Sequence, residues 1–369
     1  MNTIYWLWFT LKEHINEKTR IALLEKYTNA KNIYNATEIT DIHNMSDEAN
    51  KDLLDKSLDS ARSVQAKIDK MGGYILTIED GEYPPLLRNI YDPPCVLYLM
   101  GEHLDWSNSL TLTVVGTRKA TIYGEKATEY FSRELAQRGV TIVSGMARGI
   151  DSIAGLCAIK SGGKTIAVLG SGLDVIYPPE HRDLYQRICN NGVIVTEYPP
   201  GTRPLRENFP RRNRIMAGLS YGILVTQAPE KSGALITASY AIENGRDLFV
   251  VPGDVFLPES IGSNRLIRQG AKAVLTADDI INEYPYIDIM PLSEKKVEKT
   301  KQDKLSAIDL ELLNELQIRI LKVLNNNSMH IDEISRETGV ANFEISSELV
   351  MLELQGLIKK MNGNIYELM

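Results

Sequence analysis

Between Pro199 and Ser220 the chain reads PPGTRPLRENFPRRNRIMAGLS, which sets Arg203, Arg206, Arg211, Arg212 and Arg214 against a single acid, Glu207. Guanidinium groups are planar donor forks that match phosphate oxygens two at a time, and an aromatic ring among them, here Phe209, can stack on a base or pack into the core. Pro210 suits the first turn of a helix, where Asn213 and unpaired backbone amides would add neutral donors to the cations. So many positive groups suit an extended polyanion better than one mononucleotide. Arginines packed into interdomain ion pairs are the competing explanation.

Glycine loops supply the second kind of chemistry. In VVGTRKATIYG (Val114–Gly124), Gly116 lets the chain turn tightly after an apolar run, and Arg118 can reach a phosphate bound at the next helix start. VSGMARGIDSIAG places Ser144, Gly145 and Arg148 in the same way. Farther on, Lys231, Ser232 and Gly233 precede an Ala-rich helix, and Ser263 and Asn264 lie near another helix start, with Arg265 and Arg268 behind them. None of these loops is GxGxxG or GxxxxGK[ST], so no motif for a dinucleotide or a nucleoside triphosphate is present. Asp151 and Glu197 are available as catalytic carboxylates, but no spacing joins them in one reaction centre, and capping or pairing with Arg148 is the role expected for Asp151. His181 has no ligand set around it and is expected to make a local surface interaction. Neither a catalytic residue, a metal site nor a cofactor is expected.

These loops need strands to hold them in register. LTVVG, VTIVSG, TIAVLG, GVIVTE and YGILVTQ are apolar without polar alternation, which suits strands buried on both faces of a mostly parallel sheet covered by helices. The fold expected is therefore α/β, an extended Rossmann-like sheet over residues 73–287 that starts near Tyr74 with YILTIED and ends with a short AVL strand. Ligands of such sheets bind beyond the carboxyl ends of the strands. Residues 1–72 have helical spacing and form a small SAM-like accessory domain ending at Gly72-Gly73. Trp6 and Trp8 belong to its core, and Leu53, Leu54 and Leu58 mark one of its helices. A charged linker is expected over 288–305 and a winged-helix outline over 306–369.

Composition narrows the function. The 369 residues carry a net charge of −7, so a nucleic-acid site must be a local basic patch on an acidic molecule. The terminal unit is more acidic still: residues 306–369 hold five Lys/Arg against ten Asp/Glu, and Asn342–Gln355, the helix that would read a duplex, has no cation. Duplex positioning needs phosphate contacts, so this unit is expected to meet a further protein partner. Three scattered cysteines suit thiols in a cytoplasmic protein, and no run approaches the roughly 20 apolar residues of a membrane span, so no membrane insertion is expected.

Taken in order, VVGTRKATIYG, VSGMARGID, AVLGSGLDVIYP, TEYPPGTRPLRENFPRRNRIMAGLS, KSGALITASYAIENGRDLFVVPG and SIGSNRLI resemble the DNA-processing protein A family, DprA or Smf, over nearly the whole chain. The resemblance implies an extended Rossmann-like core that binds single-stranded DNA, forms a homodimer and loads a RecA-type recombinase during natural transformation. It matches Arg118 to the arginine of the first glycine motif, and Phe209, Arg211, Arg212 and Arg214 to the aromatic and basic DNA-binding segment. The chain departs from the family pattern at Gly155, commonly histidine, and at Gln227, often an acid. Both departures count against hydrolysis, and the alternative function is a nucleotide or nucleoside-monophosphate hydrolase on a related core.

Overall fold

A computed structural model of the chain describes residues 2–39, 42, 45–106, 109–287, 313–324, 329–355, 357–361 and 364–368. The chain opens with helices α1 (Thr3–Thr10), α2 (Glu17–Tyr27), α3 (Ala30–Asn35), α4 (Asp47–Leu54) and α5 (Asp59–Lys70). Asn16, Asn29 and Ser46 each accept a first-turn backbone N–H and so start α2, α3 and α4. Leu58 does not share a helix with Leu53 and Leu54. Asp55 Oδ1 accepts the Ser57 amide at 3.1 Å, the chain turns there, and Leu58 becomes the residue that precedes α5. Trp6 and Trp8 are buried, with their indole N–H groups donated to the Glu79 carboxylate at 2.9 Å and the Asp55 carbonyl at 2.8 Å.

The sheet then alternates with its covering helices. In chain order these are β1 (Tyr74–Thr77), α6 (Pro85–Arg88), β2 (Val96–Gly101), β3 (Thr111–Val115), α7 (Ile122–Gln137), β4 (Thr141–Ser144), α8 (Ile150–Lys160), β5 (Thr165–Val168) and α9 (Arg182–Asn191). They continue with β6 (Gly192–Thr196), α10 (Asn208–Gly218), β7 (Gly222–Val225), α11 (Gly233–Glu243), β8 (Asp247–Val250), α12 (Ile261–Arg268), β9 (Lys272–Ala273) and α13 (Asp278–Ile281). The nine strands lie in the order β1-β2-β6-β5-β4-β3-β7-β8-β9. β1, β2 and β6 pair antiparallel and the rest pair parallel. Every residue of β3 through β7 is buried, the two-sided burial that their unbroken apolar runs require. The last strand comes slightly earlier than the AVL run: Lys272 and Ala273 pair with Phe249 and Val250, the Val274 amide still donates to the Val250 carbonyl at 3.0 Å, and the Val274 side chain enters the core with Ala277 and Ile280.

The helical segment 1–72 and the sheet share one core. Trp6, Leu23, Ile33, Leu53 and Ile68 pack in a single cluster with Val96, Tyr98 and Ile194 of β2 and β6. Met1–Ser293 accordingly forms one unit, and residue 72 marks a change of secondary structure rather than a change of core. The linker expected over 288–305 lies outside the described residues.

A second unit, Glu294–Met369, has its own core. It contains α14 (Glu315–Leu324), β10 (Met329–His330), α15 (Ile331–Thr338), α16 (Asn342–Leu354), β11 (Ile358–Met361) and β12 (Ile365–Leu368). The strands pair antiparallel in the order β10-β12-β11, which completes a winged helix around Ile320, Leu321, Ile334, Ile345, Leu349 and Ile358. Phe343, Val350 and Met351 of α16 remain exposed.

Tyr98 stands at the seam between the N-terminal helices and β2. Tyr98→Ala should cost about 3–5 kcal/mol in denaturant unfolding. Because both sides share one core, tryptophan fluorescence and far-ultraviolet circular dichroism should report the same transition for Met1–Ser293. Separate midpoints would mean that the helices form an independent core.

Candidate nucleic-acid interface

The chain builds β3, β4, β5 and β6 outward on one side of β3, then returns across α10 to place β7 on the other side. That reversal is a topological switch point, and the loops at the carboxyl ends of β3 and β7 diverge there. A cleft of about 790 Å³ opens at this place. Its wall comes from the segments after β3 (Gly116, Arg118, Lys119), β4 (Ala147, Asp151), β5 (Tyr177), β6 (Arg206, Phe209, Arg212, Asn213), β7 (Lys231, Ser232, Gly233) and β8 (Pro258, Glu259).

The floor is built on a buried arginine. α10 begins at Asn208, two residues before Pro210, and Asn208 Nδ2 donates to the Gly170 carbonyl at 3.0 Å, which anchors the helix start over the β5 loop. One turn later Arg212 is inside the protein. Its Nη1 donates to the carbonyls of Gly145, at 2.9 Å, and Val168, and its Nε donates to Asn213 Oδ1 at 3.2 Å. Asn213 Nδ2 donates in turn to the Gly233 carbonyl at 3.3 Å, so α10 and the start of α11 are joined. Burial pulls Arg212 down to about 10, with the nearby Asp151 charge opposing it, so the guanidinium stays protonated at neutral pH. Burial likewise pushes the Asp151 carboxyl up, opposed by Arg212, the Ala147 amide and Arg118. Asp151 is therefore not the partner of Arg148, whose Nε donates to Glu180 at 2.6 Å on the surface.

Two glycines make this floor possible. A Cβ on Gly145 would stand 2.4 Å from the Arg212 guanidinium nitrogens, so only glycine leaves room for the fork. Gly149 has φ +74° and lies so close to the Thr117 and Arg118 carbonyls that the β3 and β4 loops interlock, with the Ile150 amide donating to the Thr117 carbonyl at 3.2 Å.

Above the floor, exposed cations surround an aromatic shelf. The Arg118 guanidinium carbon lies 5.6 Å from the Phe209 ring centroid, and the Phe209 and Tyr177 rings are 5.5 Å apart. Lys119, Arg206 and Lys231 are exposed on the same wall. Ser232 caps α11, its Oγ accepting the Ala234 amide, and so aims the start of an 11-residue helix at the cleft. Gln227, buried at the end of β7, holds the first loop: its carbonyl accepts the Thr117 amide at 2.8 Å, its Oε1 the Thr121 amide at 3.0 Å, and its Nε2 donates to Thr121 Oγ1 at 2.9 Å.

The structure thus gathers Gly116, Arg118, Phe209, Arg212, Asn213, Lys231, Ser232 and Gly233 around one cleft and sends the other expected residues elsewhere. Ser144 is buried, its Oγ donated to the Val114 carbonyl at 2.8 Å, and Gly145 is covered by Arg212. Asn264 clamps Gly253 through both amide atoms, each at 3.0 Å. Arg214 is buried between Glu197 Oε2 at 2.6 Å and Asp92 Oδ2 at 3.2 Å, and the pull of those carboxylates outweighs burial and raises its pKa. Arg211 is exposed but faces a second hollow of about 510 Å³ beside Arg20 and Arg214, with Pro210 forming the ridge between the two. Expecting these arginines on one surface overlooked the helix, which turns Arg212 and Arg214 inward and Arg211 outward. Tyr177 and Gln227 were missed as site residues. Tyr177 was legible as an aromatic in a loop after a strand, whereas the role of Gln227 depends on a hydrogen bond across 106 residues. His181, expected in a local surface interaction, is instead half-buried with Nδ1 3.0 Å from the carbonyl of buried Met146, 35 residues earlier.

Residues 74–285 match the family model described as DNA recombination-mediator protein A, and residues 307–364 match the DprA winged helix domain. Protein Smf of Synechocystis is 37% identical over 316 residues, covering 79% of this chain and 79% of the relative. DNA processing protein DprA of Bacillus subtilis is 42% identical over 222 residues, covering 60% of this chain and 75% of the relative. The X-ray structure of DNA processing protein A from Streptococcus pneumoniae superposes with a TM-score of 0.62 at 33% identity, covering 76% of this chain and 98% of that one. A Helicobacter pylori DNA processing protein A structure, described for its single-stranded DNA binding mode, gives a TM-score of 0.52 at 34% identity, covering 57% and 94%.

The buried and exposed arginines should separate in stability measurements. Arg212→Lys keeps a charge but loses the fork, and Gly145→Ala displaces it, so each should lower stability by about 3–5 kcal/mol. Arg206→Glu, at an exposed position, should stay within about 0.5 kcal/mol. Thermal unfolding of the three variants decides the matter, and a stable Arg212→Lys protein would remove Arg212 from the floor.

Proposed function

The chain belongs to the DNA recombination-mediator protein A family, and we propose that it binds single-stranded DNA without sequence preference in the cleft and delivers it to a RecA-type recombinase during DNA uptake, as a homodimer in the cytoplasm. One observation carries the binding part: a switch-point cleft combines exposed Arg118, Lys119, Arg206 and Lys231 with the Phe209 ring and the start of α11. In this reading the cations and amides hold the backbone and the ring accommodates a base, which every base allows because each has a stacking face. Arg212, Asn213 and Gly116 contribute by fixing the floor, and Arg211 meets the strand only where it leaves the cleft over Pro210.

Binding rather than hydrolysis fits the carboxylates. A hydrolase needs an acid free to activate water. Asp151 borders the cleft but faces the Arg212 charge and the Ala147 amide, and Glu197 is held by Arg214. Among the described residues no group of His, Cys, Asp or Glu could hold a metal ion, and no helix is long and apolar enough to cross a membrane. For the winged helix we propose a protein partner: α16 carries no Lys or Arg and exposes Phe343, Val350 and Met351.

Fluorescence anisotropy against labelled oligonucleotides tests the cleft. Arg118→Ala and Lys231→Ala should each weaken binding several-fold and flatten the dependence of log K on log salt by about 0.7 per lost phosphate contact. Phe209→Ala should weaken binding with little change in that slope. Variants that fold normally and bind with unchanged affinity and slope would eliminate the cleft.

The division of labour between the units has its own test. A protein ending near residue 288 should keep most of its single-strand affinity at matched salt. A loss of about 100-fold, equivalent to about 2.7 kcal/mol, would put an essential DNA surface in the winged helix.

A further inference from the structure

The β8–α12 loop forms one rim of the cleft through Pro258 and Glu259, and just outside that rim it exposes apolar side chains. Phe256 is 91% exposed and Val255 72%, with Ile261 also exposed at the start of α12. The beginning of α7 brings Ile122, 73% exposed, and Tyr123 to the same edge, because the Tyr123 hydroxyl donates to the Pro252 carbonyl at 2.5 Å. An apolar strip of this kind is unfavourable in water unless something covers it.

The loop holds these side chains out on a firm base. Asn264 clamps both backbone atoms of Gly253, Asp254 Oδ1 accepts the Phe256 amide at 2.8 Å, and the Leu257 amide donates to the Asp254 carbonyl at 3.2 Å. The backbone that carries the ring is therefore held in place, which lowers the entropy lost when the loop meets a ligand.

We infer that this strip is the platform on which the bases of a single strand stack as it leaves the cleft, with Phe256 as the principal ring. The inference rests on the cleft being the single-strand site, and it extends that site beyond the rim. Continuity supplies the occupant. A strand longer than the cleft must cross its edge, and here exposed Ile122 follows the wall residue Lys119 by three positions and exposed Phe256 precedes the wall residue Glu259 by three. The charges set which side of the strand faces the loop: Asp254 and Glu259 repel phosphates, while Lys119 on the first loop attracts them. Bases are turned towards Phe256 and the backbone towards the cations.

The test uses the full chain with thymidine strands of about 5 and about 20 nucleotides, the first near the size of one cleft and the second long enough to cross the rim. Phe256→Ala should leave the short strand unaffected and weaken the long one about tenfold, with an unchanged salt slope, and Phe256→Trp should restore it. On a long strand made abasic outside the central nucleotides, wild type and Phe256→Ala should bind alike. Equal binding of the intact long strand by both proteins overturns the inference while the cleft stands, provided that Arg118→Ala still weakens the short strand. A Phe256→Ala change in solution mass also overturns it, by showing that the strip contacts another copy of the protein. If wild type binds neither strand, the cleft itself fails and the platform with it.

Discussion

The cleft depends on one guanidinium taken out of water. Removing a charge from solvent costs several kcal/mol unless hydrogen bonds replace its hydration, and Arg212 finds them at the ends of two parallel strands, in Asn213 and beside Asp151. Carbonyls at strand ends would otherwise need other donors. By satisfying two of them, Arg212 fixes where α10 enters the fold and therefore where Phe209, three residues earlier, meets Tyr177 and Arg118. The exposed surface of the cleft is set from beneath.

This arrangement explains which parts of the fold were legible in the sequence. Unbroken apolar runs announced β3 to β7, because two-sided burial leaves no polar position to interrupt them. The glycines after the β3, β4 and β5 runs, the helix start at Ser232 and the winged-helix order were equally visible, since each depends on local geometry. The arginines were harder. Charge density singled out the stretch after β6, yet the inward turn of Arg212 and Arg214 depends on acceptors at Val168, Gly145, Asp92 and Glu197, none of them adjacent in the chain. A charge in a sequence advertises its sign and not its depth. Asn264 shows the same limit, for an amide near a helix start reads as a donor to a ligand until Gly253 is found against it.

Net charge and local charge also play different parts. A molecule of −7 overall repels a polyanion at long range, and attraction is confined to the few surfaces where cations outnumber acids. The winged-helix unit contributes acids to that net charge. The buried Arg214 contributes little to the outward field because Asp92 and Glu197 cancel it within a few ångströms. One arginine-rich segment thus supplies buried framework, in Arg212 and Arg214, and exposed charge, in Arg206 and Arg211.

Gln227 carries a consequence for the acid–base behaviour of the site. Its side-chain amide accepts the Thr121 N–H and donates to the Thr121 hydroxyl, so both halves of the exchange are made by a group that does not titrate. An ionised carboxylate at this position could take the N–H but would have nothing to give the hydroxyl, and the loop carrying Arg118 would be held differently above and below the pKa of that acid. With glutamine the bracket is neutral at any pH in which a cell lives. The first loop keeps its shape while the surrounding acids and bases exchange protons.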